Sequence, residues 1–141
     1  MSQENVELVR SILAAWERGD YSSAKWAHPD IEAVIADGPT PLTSTGLAGM
    51  AEAWGEFLRA WEGFHHGADE YRDLDNERVL VLVHWGGRGK TSGLEVAQMT
   101  TRAAVLFHVR AGKVTRVVAY LDRERALADL GLSEQDAHAD S

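Results

Sequence analysis

No cysteine occurs among the 141 residues, which excludes a disulfide scaffold, a CxxC redox pair and any thiolate site for zinc or an iron–sulfur cluster. Cations are scarce as well: 14 lysines and arginines stand against 22 acidic residues, for a net charge of −8. The basic residues from Arg72 to Arg116 are interrupted by acidic or apolar ones, so no clustered positive surface is expected and no nucleic acid partner with it. No apolar run approaches the roughly 20 residues of a membrane helix, and the opening MSQENVELVR has neither the basic nor the apolar region of an export signal. The expectation is a soluble, cytoplasmic chain with no membrane partner. Neither HExxH nor a GxSxG elbow occurs, and the adjacent His65 and His66 would point to opposite faces of a strand, so neither a metal nor a cofactor is expected.

What is present suits one compact domain. Hydrophobic residues make up 45% of the chain and five are tryptophan, large rings that fill a core or wall a ligand cavity. Val6, Val9, Ile12, Leu13 and Trp16 recur at helical spacing up to the RGD at 18–20. A short second helix is expected through Ser22–Trp26, then a strand from Ile31 to about Ala36 with Ile31, Ala33, Ile35 and Asp37 on one face. PLTSTGLAGM reads as a loop, and Met50, Trp54, Phe57, Leu58 and Trp61 mark a third helix within Gly46–Phe64. Four strand-like segments follow, Gly67–Leu74, Glu77–Trp85, Leu94–Arg110 and Val114–Leu121; their short connections, GGRGKTSG among them, require antiparallel pairing. Asp122 caps a closing helix that Gly131 ends. The domain should span 1–132, with a polar, disordered tail at 133–141. The fold class is α+β.

Five stretches carry a resemblance: the RGD helix end, HPDIEAV, GLAGMAEAWGEFL, RVLVLVHWGGRG and above all the finish VRAGKVTRVVAYLDRERAL. Across about Asn5–Leu132 the chain resembles the SnoaL-like proteins of the nuclear transport factor two-like (ketosteroid isomerase-like) superfamily. The resemblance implies a cone, with a strongly curved, mostly antiparallel sheet wrapped around three N-terminal helices and an apolar cavity inside. It also implies a homodimer through the outer sheet face. The superfamily holds isomerases, epoxide hydrolases, polyketide cyclases, dehydratases and non-catalytic members, so residues must decide.

The positions similar to the ketosteroid isomerase set are Ile12, Ile35 and Val105, all apolar, although a two-residue slip would bring Asp37 to the base position. Those similar to the limonene-type epoxide hydrolase set are Ala119, Leu82, His84, Ala33 and Ile35, none a carboxylate. The comparison puts His84 at a pocket-facing position, on one face with Leu80 and Leu82, and leaves the other face of that strand to Val79, Val81, Val83 and Trp85. Burial there keeps an imidazole neutral, fit to accept a proton, with Asp37 as its orienter. Met99, Thr101, Val105, Val117 and Ala119 are expected to face inward from the last two strands. With Ile12, Trp16, Trp26, Ile35, Trp54, Leu58 and Leu82 they would line a site for a small hydrophobic, cyclic or polyketide-like molecule. Two functions stay open: cofactor-independent proton transfer of isomerase, cyclase or dehydratase type, and a non-catalytic ligand-binding or dimerisation module.

Overall fold

The computed structural model describes residues 2–20, 25–37, 42–59, 61–89 and 99–132. Helix α1, Ser2–Glu17, forms because its apolar residues return every three or four positions. That stripe is its buried face, with Val9, Ile12, Leu13 and Trp16 in the core. Gly19 ends the helix at φ 81°. Its N–H donates to the Trp16 carbonyl and that of Asp20 to the Ala15 carbonyl, both at 2.9 Å, a Schellman closure that needs the left-handed residue glycine tolerates.

Strand β1, Ala27–Ile35, and β2, Leu42–Thr45, form an antiparallel pair and lead into α2, Gly46–Arg59. Four long strands follow: β3, Trp61–Asp75; β4, Arg78–Gly89; β5, Met99–Arg110; and β6, Lys113–Tyr120. The sheet order is β2-β1-β6-β5-β4-β3. Every neighbouring pair is antiparallel except β1 with β6. Helix α3, Arg123–Asp129, closes the described chain. Asp122 caps it by accepting from the Glu124 N–H at 3.1 Å, and Gly131 and Leu132 repeat the Schellman closure with the carbonyls of Ala128 and Leu127.

Several expectations are corrected. Lys25 and Trp26 form a turn rather than the end of a helix, and the remainder of that expected helix, 22–24, lies outside the described residues, as do 94–98 and the tail. The PLTST segment is partly strand, because β1 offers it a free edge. The third helix stops at Arg59 and not at Phe64, since Trp61 and Glu62 already pair with Gly89 and Arg88 of β4. Gly86 and Gly87, read as a turn, continue β4 opposite Thr100 and Met99 of β5. The described helices are not all N-terminal, because α3 follows the sheet.

The sheet buries both faces. Against α1 and α2 lie Val79, Val81, Val83 and Trp85 of β4, Ala103, Val105, Phe107 and Val109 of β5, and Val117 and Ala119 of β6. On the opposite face Leu80, Leu82, Ala104, Leu106, Val118 and Tyr120 pack with Ala126 and Leu127 of α3. Leu80 is fully buried in the single chain, so the face expected to line the pocket with His84 packs instead in the cluster that holds this chain's own last helix. Burying a leucine is worth about 1.5–3 kcal/mol, which is what docks so short a helix. Among the described residues no helix is long and apolar enough to cross a membrane.

Candidate ligand site

Opposed residues in a ladder share a face, so the pairing of His66 with Trp85 places His66 on the α1 side of the sheet. Its ring lies 5.7 Å from Trp16, 6.1 Å from Trp85 and 6.4 Å from Phe64, centroid to centroid. Trp16 is the hub of the cluster, with Trp54 at 5.3 Å, Phe107 at 5.9 Å and Trp26 at 6.0 Å. His66 is 8% exposed, and neither of its ring nitrogens has a hydrogen-bond partner. Desolvation, and secondarily the charge of His84, lowers its pKa to about 4. The imidazole is therefore neutral at pH 7, with one donor and one acceptor both unspent.

His84, the residue that sequence comparison placed inside, projects from the other face. It pairs with Gly67, and a side-chain carbon at Gly67 would collide with its ring; glycine is what lets the ring lie flat across β3. Asp69 is the extra residue of a bulge between Ala68, opposite Val83, and Glu70, opposite Leu82. The bulge turns its carboxylate toward His84, whose Nδ1 donates to Oδ1 at 2.7 Å. The other oxygen accepts from the Arg123 guanidinium at 2.7 Å, which also donates to the carbonyls of Val83 at 2.6 Å and Ala103 at 3.2 Å. Burial opposes ionisation of Asp69, but the bonds from Arg123 and His84 outweigh it and hold the carboxyl below its usual range. His84 and Asp69 are each about two-fifths exposed, so this dyad sits on a solvent-facing patch with the buried arginine behind it.

Asp37 is 7% exposed and does not reach His84's ring as an orienter. Its two oxygens accept from the backbone N–H groups of Leu121 at 2.7 Å and Asp122 at 3.1 Å. It thus clamps the turn that launches Arg123, and Asp69, not Asp37, orients His84. Replacing Asp37 with Ala should cost about 2 kcal/mol, the loss of two charge-assisted bonds, readable as a lower urea midpoint. Leu82 also lies on the α3 face and not in the interior. Ile12, Trp16, Val105, Val117 and Ala119 are interior, Trp26 and Trp54 pack against them, and Ile35 and Leu58 are half-buried. The side chains of Met99 and Thr101 lie outside the described residues.

A void lined by Ala33, Val34, Ile35, Ala53, Trp54 and Val117 measures about 10 Å³, space for one water at most. A wider cleft of about 410 Å³ opens beside α1, between Ser11, Ile12, Ala15 and Trp16 on one side and Lys25, Trp26 and Lys113 on the other. No group of three or more metal-ligating side chains occurs among the described residues.

A family model for the SnoaL-like domain matches residues 9–117, and the chain belongs to that family. None of the curated proteins matches it in sequence. Among solved structures it is similar to TerC co-crystallised with polyporic acid, with a TM-score of 0.70 and 22% identity over 90% of this chain and 97% of that one. It is also similar to a hypothetical protein with a ketosteroid isomerase-like fold from Catenulispora acidiphila in complex with trimethylamine, with a TM-score of 0.67 and 19% identity over 90% and 94%. A third is Bal32a from a soil-derived mobile gene cassette, with a TM-score of 0.71 and 15% identity over 84% and 88%. At these identities the likeness is one of fold.

Proposed function

We propose that the protein binds a small, uncharged, planar molecule carrying a hydroxyl or carbonyl group, seated among the rings around His66. The observation that carries this reading is the buried imidazole with two unpaired nitrogens. A buried polar group left unsatisfied costs about 1–3 kcal/mol, and a ligand that bonds to it recovers that cost. The aromatic walls supply flat apolar contact. Two proteins of this fold that hold small molecules, polyporic acid in one and trimethylamine in the other, support occupancy of such a domain by a ligand.

Binding is favoured over proton abstraction. A base of pKa about 4 is matched poorly to removing a proton from carbon at neutral pH, and no carboxylate bonds to His66 to raise its basicity. Titration of the protein with 2-naphthol and with naphthalene, followed by tryptophan fluorescence, tests the reading. We expect 2-naphthol to bind about tenfold more tightly, the worth of one to two hydrogen bonds, and His66→Phe to erase that preference. Equal affinities in the wild type, or a preference that survives His66→Phe, would refute it.

A further inference from the structure

We infer that the open cleft beside α1 is the route by which a ligand reaches His66, and that the indole of Trp16 is the door. This rests on the reading of His66 above. Trp16 lines the cleft and meets the imidazole edge to face at 5.7 Å, so one side chain separates the opening from the buried nitrogens. It is 5% exposed and stands between the cleft and the rings around His66. The cleft, at about 410 Å³, is large enough both to pass a bicyclic molecule and to receive the displaced indole. Trp16 stands in the last turn of α1, and its carbonyl accepts from the Gly19 N–H at 2.9 Å, which fixes its backbone. Trp26, on the far wall, meets Trp16 edge to face at 6.0 Å.

A door on the route alters the rates of arrival and departure together and leaves the equilibrium alone. Ser11 is the residue to obstruct it. It lines the cleft, is exposed, and its hydroxyl only donates back to the Leu8 carbonyl of its own helix at 2.6 Å. Ser11→Trp should fill the opening without touching the interior. With 2-naphthol as probe in stopped-flow tryptophan quenching, Ser11→Trp is expected to slow association and dissociation each by about tenfold, with Kd held within about twofold. Unchanged rates in Ser11→Trp, or a change in Kd carried by dissociation alone, would overturn the route while leaving the His66 site standing. Absence of 2-naphthol binding, or binding indifferent to His66→Phe, would overturn the site and the route with it. A Ser11→Ala control keeps the cleft open and should match the wild type.

Discussion

Acidification from pH 7 to pH 4 is expected to remove about 3 kcal/mol of folding stability through His66 alone. The folded pKa is depressed from 6.5 to about 4, so between those values the unfolded chain binds a proton that the folded chain refuses. Stability is full above pH 6.5, falls as the pH drops through that window and levels off below the folded pKa. Other acid-sensitive groups contribute too, Asp69 among them because its carboxyl is held low. They are common to the wild type and His66→Phe, so the difference between the two isolates the imidazole. Urea unfolding of both proteins across the window should show the variant less acid-sensitive by that amount, and at least as stable at pH 7, because it has no buried nitrogens to satisfy.

Arg123→Ala is expected to cost about 3–4 kcal/mol, because two buried carbonyls and a carboxylate lose their donor at once. That corresponds to a fall in Tm of about 10 °C for a domain of this size. Arg123 is 7% exposed and joins the first residue of α3 to Asp69 on β3, Val83 on β4 and Ala103 on β5. The partial exposure of Asp69 softens the charge penalty, which keeps the figure below that of a fully buried pair broken on one side. Arg123→Lys should recover only part of the loss, since a single ammonium cannot reach three acceptors with the fixed fork of a guanidinium. The comparison of the two variants by thermal unfolding separates charge from geometry.

Both effects arise from residues whose roles were unevenly legible in the sequence. The helical stripe of α1, the Asp122 cap and the Gly131 stop depend on neighbours three to five positions away, and these were readable. So was the inward position of Val105 on β5. The face of β4 was not, because it depends on register. Val83 stands directly opposite Ala103 and Trp85 opposite Thr101, which sends the valines inward and His84 outward, and one residue more in the connection through 90–98 would have reversed that. The split of His65 and His66 onto opposite faces follows from strand alternation, but alternation alone does not say which of the two is buried. The alternation of Phe64 with His66 opposite a tryptophan was the signal available. Asp69 could not be found, since a bulge breaks the period-two pattern on which strand faces are read. Arg123 was hidden in a helix whose cap drew attention to the residue before it.

The most direct test is the ¹⁵N NMR titration of the His66 ring, assigned by comparison with His66→Phe. The ring is expected to stay neutral to a midpoint near pH 4, and its nitrogen shifts to move on addition of 2-naphthol at pH 7. A midpoint at the ordinary histidine value near 6.5, with shifts indifferent to the naphthol, would contradict it.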